Sequence, residues 1–232
     1  SLIIGLGVVF FASIVGGLLG LVAGFMGGWI RALIMRCTDA FAIAESAFGS
    51  CRDGNPFCVL QLDHGIGLAI FKNGAYLRGT TDIYGEIGHT IYRDGGEICK
   101  CGNRGCLETI AGVGAIVQKV SENITKGLYF KIPEGQSTVT LDDVILNAKE
   151  GNKLALLALN EAARAIGDTV ANMVNMLGIT RIILYGELAK AEDLLRQQVV
   201  NSIRRHCIYP LNQDTEVRIS GLVRQFQPSE LE

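Results

Sequence analysis

An α/β fold with at least partly parallel strand pairing is what this sequence predicts, on three observations. A long helical period over 153–177 runs into a β-branched strand at 181–185, and a second helical stretch follows it. A strand, turn, strand hairpin occupies 57–77. The 232 residues are 49% hydrophobic, enough for one sizeable core or two small lobes. Strands alternating with helices imply crossover connections between parallel neighbours.

The chain divides into an apolar, glycine-rich head, 1–34, and a mixed remainder, 35–232. Ser1 to Ile30 carries no charge, and the run has the length of a membrane helix, with Trp29 and Arg31 placed as interface anchors. Glycines at 5, 7, 16, 17, 20, 24, 27 and 28 weaken an isolated helix, and no basic residue precedes the run as a signal peptide requires. Buried strands and turns of a remnant first lobe are therefore expected ahead of a membrane segment through residues 1–30. Lys plus Arg number 21 against 23 Asp plus Glu, a formal charge of −2, so nothing draws the chain generally toward nucleic acid or acidic lipid. Seven cysteines, three of them within 99–106, do not resemble a secreted disulfide framework and fit a reducing cytoplasm.

Along the second part, Thr38 or Asp39 is the expected N-cap of a short amphipathic helix, AFAIAESAF, ending near Gly49. Phe57 to Leu62 and Ile66 to Phe71 are compact apolar strands joined by Asp63-His64-Gly65, and Lys72-Asn73-Gly74 turns tightly into Ala75-Tyr76-Leu77. Leu141 to Ala148 predicts a helix capped by Thr140. Lys153 to Leu177 predicts a long one, because Leu159, Ala163, Ile166, Val170, Val174 and Leu177 recur at helical spacing and Gly178 follows. Arg181 to Tyr185 is the next strand, Gly186 turns the chain, and Ala189 to His206 returns as helix.

The chemistry concentrates between Gly85 and Glu108, in GEIGHTIYRDGGEICKCGNRGCLE. His89, Cys99, Cys101 and Cys106 supply three thiolates and an imidazole, a set that suits a closed tetrahedral zinc site. Glycines at 95, 96, 102 and 105 let the backbone turn sharply enough for the four to converge. With no further ligand nearby the metal is expected to be structural. Three reduced cysteines on a loop are the plain alternative, yet clustered cysteines with glycine spacers rarely serve packing; iron–sulfur ligation lacks its fourth cysteine.

GEIGH, the ten-residue interval from His89 to Cys99, and CKCGNRGCLE together resemble the zinc-bearing, sugar-binding segment of the ROK (repressor, ORF, kinase) family. With Asp39, the hairpin and the helix and strand at 153–186, the resemblance covers about Met35 to Ser220. It implies ribonuclease-H-like, actin-like lobes with a hexose or amino sugar between them, the N-terminal lobe being incomplete here. By position Glu86, His89 and Glu108 match the family's sugar-contacting residues, and Asp39 matches its catalytic aspartate. Carboxylates suit vicinal hydroxyls, and an imidazole bound to zinc through one nitrogen offers the other as a donor. On spacing alone, Glu86 and Glu108 also fit a solvated surface pair, and Asp39 a helix cap.

The resemblance leaves kinase and regulator to be separated. The family's kinases use an Asp-x-Gly-x-Thr loop, which this sequence does not contain. Where they present Thr-Gly to phosphate, this chain has Asp63-His64; where they present a glycine pair to adenosine, it has Tyr185-Gly186-Glu187; and Thr38 replaces an asparagine. An aspartate repels the phosphate that threonine would bind, so ATP and Mg2+ are not expected. These departures resemble the family's glucose and N-acetylglucosamine repressors. The expectation is a non-catalytic, cytoplasmic sugar-sensing effector domain, a fragment or decayed copy of a repressor, without autonomous DNA binding and homodimeric by family analogy. An ATP-dependent hexose kinase, with Asp39 catalytic, is the alternative, and a zinc-stabilised interaction protein that has lost sugar binding is the third.

Overall fold

The computed structural model describes residues 38–221 except 48, 78, 81–83 and 134, so the head at 1–34 lies outside the described residues. A five-stranded mixed sheet organises the chain. Strands β1 (Phe57–Leu62), β2 (Ile66–Lys72) and β3 (Ala75–Tyr76) form an antiparallel meander; β4 (Arg181–Tyr185) and β5 (Glu216–Ile219) extend it in parallel, in the order β3-β2-β1-β4-β5. β1 is central, pairing Leu60 with Leu68 on one side and with Leu184 on the other. Covered on both faces, it is apolar nearly throughout, as buried strands must be.

The period-two alternation of the strands divides two cores. Cys58, Leu60, Leu62, Ile182 and Leu184 face the larger one, beneath helices α3 (Val113–Thr125), α4 (Leu141–Lys149), α5 (Lys153–Leu177) and α6 (Glu192–His206). Phe57, Val59, Phe71, Ile183 and Tyr185 face the other way, against Ala42 and Phe41 of helix α1, which runs through 38–47. α1 is pinned along its length. Phe41 stacks on Tyr185 with ring centroids 3.8 Å apart, and the buried Glu45 carboxylate accepts from Ser50 N at 2.8 Å and from Ser220 Oγ at 2.9 Å. These ties hold Asp39, on the first described turn of α1, in a fixed place against the sheet.

Helix limits follow the capping residues. Thr140 forms a reciprocal capping box with Asp143 at the start of α4. Asn152 accepts from Ala155 N at the start of α5, and Gly178, with φ 65°, ends it in the left-handed conformation that glycine adopts without a Cβ penalty.

Two expectations need correction, and four elements were not anticipated. Thr38 and Asp39 are already helical, so neither is the N-cap, and the start of α1 lies outside the described residues. The helix expected from Ala189 is broken: a 3-10 turn, Glu187–Ala191, precedes α6, and Glu192 at φ 22° interrupts the helical hydrogen-bond ladder between them. Helices α2 (Glu108–Ala111), α3 and α7 (Leu211–Asp214) and strand β5 were not expected. Among the described residues no helix is long and apolar enough to cross a membrane.

Candidate functional site

Three short segments meet beyond the end of β1. The β1–β2 turn closes through Asp63 N donating to Gly65 O, and Asp63 O accepts from Val113 N at the start of α3. The 3-10 turn Ile87–His89 lies against β2: Leu68 N donates to Gly85 O at 2.8 Å, and a Cβ on Gly88 would fall 2.6 Å from Ile66 O. α2 begins with Glu108, whose carboxylate comes within 3.5 Å of where a Gly65 Cβ would be. The sequence puts its smallest residues where these backbones touch.

His89, Cys99, Cys101 and Cys106 converge, with their ligand atoms all within 4.8 Å of one another, a group that could hold a metal ion. Cys99 Sγ lies 3.4 Å from His89 Nδ1, and Cys101 Sγ lies 3.6 Å from Cys106 Sγ. Tetrahedral zinc with ordinary bond lengths requires about 3.6 Å and about 3.8 Å for such pairs, so the spacing is compatible with zinc. Burial, reinforced by the hydrogen bonds that its S–H donates to Cys101 and Cys99, pushes the Cys106 thiol up to about 12, whereas the backbone N–H of Asn103 draws the Cys101 thiol down. Thiolates this close repel one another unless a cation lies between them. The loop is held by backbone bonds: Cys99 N to Asn103 O, Gly102 N to Cys99 O, and Gly105 N to Glu97 O.

The other expected residues surround this cluster. His89 directs Nδ1 to the thiols and Nε2 toward Glu86, whose carboxylate is 3.6 Å away. A carboxylate behind a ligating imidazole fixes its tautomer and orientation. Glu108 pairs with Lys100 at 2.8 Å; these two residues, with His64, Glu97 and Cys99, line a cleft of about 550 Å³. Asp39 is 4% exposed; its Oδ1 accepts from Tyr84 Oη, and its Oδ2 is buried without a hydrogen-bond partner. Tyr84 immediately precedes Gly85-Glu86, so Asp39 is joined through it to the segment that carries Glu86 and His89. Neither Tyr84 nor Lys100 was singled out by the sequence. Lys100, between two cysteines of the motif, was the more accessible to inference; Tyr84 had no signal.

A larger cavity, about 1250 Å³, opens on the other side of the β1–β2 turn and includes Asp63, Tyr185, Gly186, Glu187 and Lys190 in its lining. Asp63 is fully engaged there. Its Oδ2 accepts from Gln61 Nε2 at 2.8 Å and its Oδ1 from Glu187 N at 2.5 Å; Gln61 Oε1 in turn accepts from Thr38 Oγ1. Gly186, at φ 108°, leaves the room: a Cβ would lie 2.7 Å from Asp63 Oδ1. A polar chain thus runs from α1 across β1 to the end of β4.

Against known proteins, the ROK family matches residues 33–224. The DNA-binding transcriptional dual regulator NagC of Escherichia coli K12, and the N-acetylglucosamine repressor of E. coli O6:H1, are each 31% identical over 184 residues, covering 79% of this chain and 43% of the regulator. A glucokinase of Halalkalibacterium halodurans is 29% identical over 185 residues, covering 78% of this chain and 56% of the enzyme. The chain therefore spans about half the length of these relatives. A solved ROK family transcriptional regulator, a homologue of the E. coli Mlc protein, superposes with a TM-score of 0.73 at 29% identity, over 79% of this chain and 46% of its own. The fold is accordingly the actin-like, ribonuclease-H-like one of ROK regulators and sugar kinases. On the match across 33–224 and the resemblance of sequence and fold to its regulators and kinases, this chain belongs to the ROK family.

Proposed function

We propose that this chain is a sugar-sensing effector domain of a ROK-type transcriptional regulator, non-catalytic, with a structural zinc on His89, Cys99, Cys101 and Cys106 bracing the hexose site. The sensing unit is 35–232, with 85–108 as its zinc loop, and 1–34 is an apolar glycine-rich head, either the remnant of a first lobe or a membrane segment. Glu86, His89, Glu108 and Asp39 meet the hydroxyls of a hexose or amino sugar. The relatives that are sugar repressors support this reading, and one observation carries it. The Asp63 carboxylate occupies the Glu187 backbone N–H beside Gly186 and faces the larger cavity with a negative charge. A phosphate group approaching that turn would meet an anion in place of a hydroxyl and a free N–H. Ligand binding then acts by shifting the lobes, a coupling by which sugar and operator affect each other's affinity in the regulator as a whole.

The hexose kinase reading has its own observation: Asp39 Oδ2, buried and unpartnered, suits a base as well as a hydroxyl acceptor. An ATP-dependent phosphorylation assay across a hexose panel separates the two. The unmodified chain is expected to give background turnover. Asp63→Thr combined with His64→Gly should restore at most weak nucleotide binding and still no turnover, because positioning supplies most of the rate in phosphoryl transfer and the Asp-x-Gly-x-Thr loop is lacking. Turnover by the unmodified chain, abolished by Asp39→Asn, would establish the kinase.

Calorimetric titration with the same sugars tests the site itself. Glu108→Gln keeps the shape but removes the charge that strengthens hydrogen bonds to hydroxyls, so hexose affinity should fall about tenfold with little change in melting temperature. An unaltered dissociation constant would move the pocket away from Glu108.

A further inference from the structure

The buried Asp39 carboxylate is asymmetrically satisfied. Oδ1 accepts from the Tyr84 hydroxyl, while Oδ2 is enclosed and has no partner. Buried carboxylate oxygens are costly without a donor, and an enclosed acceptor on an otherwise anchored side chain points to a donor arriving with a ligand. The anchoring is thorough. α1, which carries Asp39, is tied to the sheet by the Phe41–Tyr185 stack and the Glu45–Ser220 bond. Tyr84 leads directly into Gly85, whose carbonyl accepts from Leu68 N at 2.8 Å and Ile87 N at 2.7 Å. Its phenol is thus held by the backbone that also places Glu86 and His89.

We propose that Tyr84 is a positioning and specificity-determining residue of the sugar site: by donating to Oδ1 it stops the Asp39 carboxylate from rotating and presents Oδ2 to one particular hydroxyl of the hexose. This rests on the sugar-binding reading above. A carboxylate with two free oxygens can turn to follow whichever hydroxyl is near. One pinned through a single oxygen cannot, and an analogue lacking the matching hydroxyl then leaves Oδ2 unpaired. Sites built in this way reject the deoxy analogue strongly, whereas shape alone distinguishes such analogues weakly.

The test uses the whole chain, with calorimetry on D-glucose, D-mannose, D-galactose and N-acetyl-D-glucosamine, then on the monodeoxy analogues of the tightest binder. For wild type one analogue should bind at least about thirtyfold more weakly than its parent, within the range a lost hydrogen bond to a charged group allows. Tyr84→Phe, which keeps the ring, should weaken the parent sugar about fivefold to tenfold and leave that one analogue unchanged, so that discrimination shrinks. In an Asp39→Ala background, which leaves nothing for the Tyr84 hydroxyl to orient, Tyr84→Phe should have no further effect. Equal losses for the parent and every analogue would reduce Tyr84 to a packing residue, and an unchanged affinity would remove it from the site; either result overturns the proposal while leaving sugar binding intact. No binding of any of the four sugars by wild type would instead overturn the sugar-binding reading, and this inference with it.

Discussion

Cys101→Ser is expected to strip the metal from the chain, lower its melting temperature by several degrees and weaken hexose binding at the same time. A serine hydroxyl at neutral pH is a poor substitute for a thiolate, and the remaining thiols and imidazole would form an open site. Ligation in structural zinc sites is worth about 10–16 kcal/mol in small peptides and is expressed as folding free energy, so even partial loss is large against a domain's total stability of about 5–15 kcal/mol. The effect should reach the sugar because His89 serves two masters: Nδ1 lies 3.4 Å from Cys99 Sγ, and Nε2 points toward Glu86. Without the metal the ring loses the bond that fixes its tautomer and direction. Elemental analysis provides the check. Wild type should carry about one zinc per chain, the closed four-ligand stoichiometry; equal metal in both proteins would discard the site.

How much of this was legible beforehand depends on how local the determinant is. The four residues that could hold a metal ion lie within one short segment, 89–106, so ligand chemistry and glycine-permitted turns were enough to group them. α5 was readable to its limits, because a sustained period ends at a glycine in the left-handed region. α3 was not. Its first residues, Val113-Gly114-Ala115-Ile116-Val117, are rich in β-branched side chains and include a glycine, which on intrinsic preference argue against helix. Burial of Val113, Ile116 and Val120 in the larger core overrides that preference. β5 is four residues long and gains its identity from pairing with β4, a partner set by topology rather than by its own sequence.

Asp63 and Asp39 mark the same boundary within the site. The sequence alone raised the expectation that Asp63 carries the wrong charge for a phosphate cradle. That its carboxylate is taken up by Glu187 N, 124 positions away, and steadied by Gln61 required the parallel pairing of β1 with β4 to be known. Asp39 was singled out by its position in the family resemblance, and its plainer reading as an N-cap failed because the helix begins before it. Its partner Tyr84 is separated from it by 45 positions and belongs to no motif. Long-range side-chain pairs of this kind leave no periodicity to read.

Gly105→Ala should be as damaging as loss of a ligand, for a reason confined to the backbone. Gly105 has φ 71°, and a Cβ there would fall on the Arg93 carbonyl, far inside contact distance. Neither side can yield easily. Gly105 N donates to Glu97 O, Gly105 O accepts from both Tyr92 N and Arg93 N, and Arg93 O accepts from Gly96 N. A methyl group must therefore break several bonds of the loop immediately before Cys106. Gly102→Ala is the control: it too has positive φ, 95°, but nothing lies within 4 Å of its would-be Cβ. It should cost only the left-handed penalty, about 1 kcal/mol, or about 2–4 °C in a domain of this size, and keep its metal. Gly105→Ala should cost about 3 kcal/mol or more, adding overpacking and lost hydrogen bonds to that penalty, and should lose zinc as well. Melting curves with and without a chelator give the comparison. If the two variants behave alike, the close approach of residues 93 and 105 is not what shapes the metal loop.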